Sequence, residues 1–362
     1  RQPGFLWLGV DGSLTDTLTF ELAAVDRTGF TYQWYKRDPE TLLSTAIENA
    51  TRDTLFIGSS DLASYGITEA GKVYQFYCVV VSGSQYGISG TGRVVYGTGA
   101  RLANGGWIKV ANANLGAEQD DLSLADQIAY EPSATASGVN DKAYDPTVYG
   151  DWYEWGRKAD GHQKRKMLAV GTANTYLSTT SGVEISKLND EDGQIKNSET
   201  ALYGKFIQRN AGTYDWRQYP ETAANSATAP AHAWTWGDPV NGITDLDPCW
   251  SELGATWRVP TQAEWVQIAS NNTWVWQDNG AGTPGYLIKP GGANKPTALF
   301  LPAAGYRNRT GGAQTSVGSI GYYWSSAVTG TSSYGLYFTS GSISAVYTPS
   351  RAHGLTVRCV SE

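Results

Sequence analysis

Trp257-Arg258-Val259-Pro260-Thr261-Gln262-Ala263-Glu264-Trp265 carries the clearest structural instruction in the chain. Thr261 is placed to cap the free amides of a helix start, and Glu264 is placed to reach back to the Thr261 amide, the reciprocal arrangement of a capping box. Trp265, Ile268 and Ala269 then fall on one face, so the spacing predicts a helix to about Ser270 that packs on a sheet. Downstream the pattern changes. Leu299-Phe300-Leu301, Tyr322-Tyr323-Trp324, Gly335-Leu336-Tyr337-Phe338, Ser342 to Tyr347 and Leu355 to Val360 read as strands joined by tight turns. Along Leu336 to Thr339 the period of two assigns Leu336 and Phe338 to a core, and Tyr337 and Thr339 to solvent or ligand.

Upstream, residues 1–97 read as short strands at regular spacing. Leu18-Phe20-Leu22-Ala24, Phe30-Tyr32-Trp34 and Tyr74-Phe76-Cys78-Val80 each alternate with polar or small partners. A Trp on the third strand and the run Glu69 to Cys78 resemble the immunoglobulin-type sandwich, in which a strand C Trp packs near a strand F Cys. The second-strand Cys of that pattern is missing, so Leu22 or a neighbour is expected in its place and Cys78 is read as a small buried hydrophobe. Gly97-Thr98-Gly99 closes this unit. The 362 residues exceed what one core usually serves, and the division expected is 1–97, an all-β immunoglobulin-like sandwich, and 98–362, an α+β domain with long loops. Residues 131–143 and 221–231 are read as such loops.

Lys and Arg number 27 against 34 Asp and Glu, a net charge of −7, and no basic run is present to neutralise phosphates. Nucleic acid is therefore not expected as a partner. No stretch approaches the roughly 20 apolar residues that span a bilayer, so membrane insertion is not expected. Arg1 to Gly9 lacks a signal-peptide pattern, and the chain does not open on Met, which leaves room for an upstream segment. Three cysteines, Cys78, Cys249 and Cys359, allow one bridge and one free thiol.

Several motifs recur in a fixed order: Tyr149-Gly150-Asp151-Trp152-Tyr153-Glu154-Trp155-Gly156-Arg157 to His162, Asp247-Pro248-Cys249, the Trp257 to Trp265 stretch, Leu301-Pro302-Ala303-Ala304-Gly305-Tyr306-Arg307, Gly321-Tyr322-Tyr323-Trp324-Ser325-Ser326, and Arg351 with Gly354 to Val360. Together, over residues 100–362, they resemble the Fibrobacter succinogenes major paralogous domain family, which shares the C-type-lectin-like fold of the formylglycine-generating-enzyme type. The resemblance implies a Cys249–Cys359 disulfide tying the last strand to the middle of the domain. Such a crosslink stabilises by about 4 to 5 kcal/mol on the chain-entropy model and implies an oxidising location.

Lectin-fold proteins of this kind also resemble the variable proteins of diversity-generating retroelements, in which adenines in the codons of a C-terminal segment are randomised. From Tyr306 to His353 there is no Lys, Glu, Asp or Met, while Tyr, Ser, Thr, Gly, Ala and Val crowd the positions between Trp324, Leu336, Phe338 and Arg351. A constant β-surface rich in Ser, Thr, Gly and Tyr has the same composition, and the sequence leaves both open. Under either reading tyrosines with small hydroxyl neighbours suit binding, as in antibody paratopes. The expected ligand-binding positions are Tyr322, Ala327, Tyr334, Tyr337, Thr339, Ser344, Val346, Tyr347, Thr348 and His353, with Arg309 and Ile320 on an adjoining loop. The expected partner is a protein or glycan on a cell surface, met by an extracellular chain carried on a virion or bacterial envelope.

Catalysis is not expected. His162, His232 and His353 include no pair at helical spacing, so an iron site does not assemble, and a copper-thiolate centre would require Cys249 and Cys359 to be reduced. No nucleophile elbow accompanies His162, which is read as fixing its own turn. Arg157 and Asp151 are read as members of a buried network that holds the loops, and Trp152, Trp155, Trp257, Trp265 and Trp324 as core. No cofactor is expected. Ca²⁺ signatures are absent, although Asp120-Asp121 and Asp190-Glu191-Asp192 offer scattered carboxylates to a hard cation. A carbohydrate-binding adhesin module is the alternative, and a metal oxygenase the more distant one.

Overall fold

The computed structural model describes residues 28–38, 41–57, 61–67, 73–120, 122–133, 142–165, 205–208, 247–278, 282–290, 292–293, 297–310, 312–329 and 332–361, with Trp236, Gly280 and the strands Phe5–Leu8, Asp16–Thr19 and Tyr176–Ser178. The described elements are mostly strands in several sheets, with few helices.

In the first 96 residues one sheet runs in the order Phe5–Leu8, Gly92–Tyr96, Val73–Ser82, Thr31–Arg37, Ser44–Ala46, with Gln85–Ile88 pairing back on Val73–Ser82. Asp16–Thr19 pairs with Thr54–Ile57 in a second. The alternation expected from the sequence decides what is buried: Trp34, Tyr74, Phe76, Cys78, Val80 and Val94 form one core with Leu55 and Ile57. Trp34 stands directly opposite Cys78. Cys78 is free and buried, and burial pushes its thiol up to about 11, which keeps it protonated and inert. Leu22, expected to replace a missing Cys, lies outside the described residues, as do residues 221–231.

From residue 99 the strands pair among themselves. Gly99–Arg101 pairs with Trp107–Val110, which pairs with Val360–Ser361, which pairs with Trp257–Arg258. The chain end is thus knitted to residues near 100. The helix Gln262–Asn271 carries the complete capping box: Thr261 Oγ1 accepts from the Glu264 amide at 3.2 Å and Glu264 accepts from the Thr261 amide at 2.7 Å. Arg258 grips the same carboxylate at 2.6 and 2.8 Å. Trp265 and Ile268 are buried beneath it, in a core shared with Tyr286, Ile288, Leu299 and Leu301 from the antiparallel sheet Thr273–Gln277, Gly285–Lys289, Leu299–Pro302.

Leu355 to Val360 is not the single strand that its apolar run suggests. Gly354–Leu355 and Val360–Ser361 join different sheets, and the link between them is held elsewhere: Thr356 O accepts from Trp324 N, Val357 O from Leu115 N, and Cys359 O from Ala111 N. A backbone serving three neighbours in turn cannot keep one ladder.

Candidate ligand-binding face

Strands Ile320–Thr329, Ser332–Thr339 and Ser342–Tyr347 form a three-stranded antiparallel sheet. Its inner face carries Tyr323, Leu336, Phe338 and Ala345, all buried against the helix and the neighbouring sheet. Gly321 belongs to this face, where an added Cβ would collide with the Phe338 ring. Residues directly opposed in an antiparallel pair share a face, so the register defines the outer one. Its rows are Ile320, Thr339, Ser342; then Tyr322, Tyr337, Ser344; then Trp324, Gly335, Tyr347.

Tyr347 reaches that face through a bulge. The register passes from Tyr337 opposite Ser344 to Gly335 opposite Tyr347, so the third strand holds an extra residue there. Without it Tyr347 would follow Ile343 and Ala345 inward; with it the ring turns outward. Tyr322, Tyr337 and Tyr347 consequently form a triangle with centroids 5.0 to 5.4 Å apart. Tyr306 extends it, 5.1 Å from Tyr322, and His353 closes the row, 5.2 Å from Tyr306. Burial, with the Tyr347 hydroxyl beside it, pushes the Tyr322 phenol far above its usual range, so it stays a hydrogen-bond donor at any ordinary pH. His353 is held neutral, its pKa lowered to about 4 by burial and then by the Arg309 charge. Its Nδ1 accepts from the Arg309 amide at 3.2 Å.

Of the twelve expected positions, all are half-buried or exposed, and Tyr322, Tyr337, Thr339, Ser344, Tyr347 and Ile320 lie on the outer grid. Val346 and Thr348 flank Tyr347 as exposed neighbours. His353 and Arg309 lie together at one end. Ala327 falls in the irregular stretch between Trp324 and Val328. Tyr334 is half-buried between the buried Ser333 and Gly335, in the stretch of its strand where the pairing is irregular and the alternation of Leu336 to Thr339 does not carry through. Tyr306 and Ser342 were missed. The alternation of Tyr306 with buried Arg307 was the available signal for the first, and the Thr339–Ser342 turn, where the two hydroxyls meet at 3.0 Å, for the second.

The grid ends where the fold covers it. Trp324 shares the face of Tyr322 but is buried among Trp155, Trp236, Tyr153 and Leu355. Its indole donates to the Tyr153 carbonyl at 2.6 Å, that of Trp155 to the Ser325 carbonyl at 2.8 Å, and that of Trp265 to the Trp324 carbonyl at 3.0 Å. The Cys249–Cys359 disulfide lies in this same cluster, with Cα atoms 5.6 Å apart. Both sulfurs that a copper-thiolate centre would need are therefore bound to each other. Asp247 fixes the bridge, its carboxylate accepting from the amides of Cys249 at 2.8 Å and Val259 at 2.9 Å, and burial pushes its pKa up to about 6. Trp257 packs half-buried on the edge of this cluster, with Lys109 Nζ 5.1 Å over its ring.

In the segment from Asp145 to Arg165 the polar side chains Asp145, Asp151, Glu154, Arg157, His162 and Arg165 are buried. Asp151 accepts from Lys164 Nζ at 2.8 Å and from the Arg165 amide at 2.9 Å. Arg157 binds Asp160 at 2.6 Å and also Glu154, whose buried carboxyl is pushed up to about 7. His162 takes the Glu154 amide on Nε2 at 3.1 Å and presents Nδ1 to Asp160 at 2.8 Å, so it locks its own turn. Arg165 and Arg358, both buried, satisfy backbone carbonyls: Arg165 binds those of Gly150, Ala143 and Ala304, and Arg358 those of Ala111, Asn112 and Phe300. Guanidinium groups here replace the ladder that irregular chain cannot form.

Among the described residues no three His, Cys, Asp or Glu side chains come together as a metal site, and no helix is long and apolar enough to cross a membrane. Asp120 is exposed; Asp121 and Asp190 to Asp192 lie outside the described residues, as does His232. A family model described as a domain of unknown function (DUF8237) matches residues 291–360, a range that contains the whole platform and Cys359. No curated protein matches the chain.

Proposed function

We propose that this chain is a binding protein that presents its tyrosine face to a ligand on a cell surface. In this reading residues 1–97 are an immunoglobulin-like sandwich acting as spacer or docking module, and residues 98–362 a C-type-lectin-like domain that displays the platform. One observation carries it: four tyrosine rings and His353 lie in contact on the outer side of a sheet whose inner side is fully committed to the core. Tyrosine offers broad, stiff, amphipathic contact at low entropic cost, and Ser and Thr beside it supply adaptable hydrogen bonds. The buried disulfide fits an oxidising exterior, and we place the chain on a virion or a bacterial surface.

The outward positions between residues 306 and 353 are those that a variable protein of a diversity-generating retroelement would change. A nearby repeat matching these codons and differing only at adenines, adjoining a reverse transcriptase gene, supports that history; a constant adhesin has none.

Binding itself is tested with the full chain on intact bacterial envelopes. Tyr337→Ala with Tyr347→Ala should abolish binding while the thermal midpoint holds. Unchanged binding by this variant would sink the proposal. Protease and periodate treatment of the envelopes separates a protein ligand from a glycan.

A further inference from the structure

We propose that the chain carries a second binding site, a cavity that takes a neutral sugar ring between Trp257, Asp120 and Glu252. It shares no residue with the tyrosine face and does not rest on the reading of that face.

The cavity has a volume of about 380 Å³, toward the lower end of the roughly 300 to 1,000 Å³ of small-ligand sites. Its walls come from two stretches: the turn Ala111–Ala117 with Asp120 on one side, and the end of the helix Pro248–Leu253 with Trp257 on the other. Both walls are held from behind. The buried Arg358 guanidinium donates to the Ala111 and Asn112 carbonyls at 2.9 and 2.7 Å, and to Asn114 Oδ1 at 2.8 Å. The Asn112 amide in turn donates to the Asp120 and Leu122 carbonyls at 3.1 and 2.7 Å, which fixes the loop that presents Asp120. Gly116 has a φ of 80°, and an added Cβ there would strike the buried Asp151 carboxylate. The disulfide joins the two walls. Cys249 belongs to the helix, and the Cys359 carbonyl accepts from the Ala111 amide at 2.8 Å. A concave surface tied in this way has little freedom left to lose when a ligand enters.

The chemistry of the lining selects the ligand class. Asp120 uses its backbone carbonyl rather than its carboxylate in the hydrogen bonds it makes among the described residues. Glu252 is engaged at one oxygen, Oε1 accepting from the Tyr153 hydroxyl at 3.2 Å, and that bond steadies the carboxylate. Both groups therefore retain acceptor capacity that the fold does not use. Trp257 and Leu253 add apolar surface to the same wall. Lys109 lies over the Trp257 ring at 5.1 Å but does not line the cavity, so the part of the indole that borders the cavity stays open. A pyranose matches this arrangement, with a face of C–H groups for the indole and a rim of hydroxyls for the carboxylates. An organic cation would also suit two carboxylates, but Lys109 already holds the cation position over this ring.

The test screens the full chain, disulfide intact and in EDTA, against an array of neutral hexoses, N-acetylhexosamines and their disaccharides, with alkylamines alongside. Each sugar bound is titrated against the wild type, Asp120→Ala, Trp257→Ala, and Tyr337→Ala with Tyr347→Ala. The expected result is a sugar bound without divalent cation, about tenfold weaker with Asp120→Ala, the size of a lost hydrogen bond to a charged group. Binding should vanish with Trp257→Ala and be unchanged with the tyrosine variant. Asp120 is exposed, so its variant keeps the fold and decides the matter even where Trp257→Ala does not fold. No sugar bound, binding only with added Ca²⁺, alkylamines bound in place of sugars, or indifference to Asp120→Ala would each overturn the proposal. A sugar lost only with the tyrosine variant would overturn it too, by moving the glycan to the tyrosine face.

Discussion

Tyr322 and Tyr323 are neighbours in sequence and lie on opposite faces of the same strand. The Tyr323 ring is buried, stacked 5.9 Å from Phe338, with its hydroxyl donating to the Pro302 carbonyl at 2.7 Å and accepting from Asn114 at 3.3 Å. The Tyr322 ring meets Tyr306, Tyr337 and Tyr347, and its own row looks outward. The same division separates the two polar populations. Asp151, Arg157, His162, Arg165 and Arg358 bind the framework, while the hydroxyls of the outer grid mostly bind one another or nothing that defines the fold. Structural specificity is concentrated in the buried side chains, which frees the outer grid from structural duty.

Four measurements break or sharpen this contrast, beginning with the largest effect. Replacing Cys249 and Cys359 with Ser removes the crosslink under the Trp cluster and should cost about 4 to 5 kcal/mol in denaturant unfolding. A loss no greater than that of a surface substitution would show that the frame holds without it. Tyr323→Ala should cost about 3 to 5 kcal/mol, as large-to-small changes in packed aromatic cores do. Tyr337→Ala, on the facing strand but outward, should stay within about 1 kcal/mol. Equal costs would erase the distinction between the faces. Gly321→Ala drives a methyl into the Phe338 ring and should cost about 1 to 3 kcal/mol through overpacking.

The smallest effect concerns His353. Its folded pKa is lowered from 6.5 to about 4, so the fold favours the neutral ring. The stability this contributes is present above 6.5 and is lost as pH falls through about 4. His353→Gln should therefore give a thermal midpoint that falls less steeply across that window than the wild type's. An identical acid limb in both chains would show that the ring is not held neutral by the fold.

Much of this division was legible from local signals. The Thr261–Glu264 box specifies its helix through contacts three residues apart, and the alternation of Leu336 to Thr339 specifies which side chains turn in. The Cys249–Cys359 bridge was reachable only through a family resemblance, because three cysteines permit several pairings. The bulge that re-aims Tyr347 was not legible, since it depends on how two strands are registered against each other and leaves no mark on either one alone. The roles of Arg165 and Arg358 were hidden because their partners are backbone carbonyls far away in sequence, which carry no residue identity to read.

The central claim is that the outer grid can change without disturbing what lies beneath. It is tested most directly by randomising Ile320, Tyr322, Tyr337, Thr339, Ser344 and Tyr347 together in one library, and Tyr323, Leu336, Phe338 and Ala345 in another, and scoring cooperative thermal unfolding of the members. The account predicts that most of the first library folds with midpoints near the wild type's, while few members of the second fold at all. Comparable failure in the two libraries would contradict it.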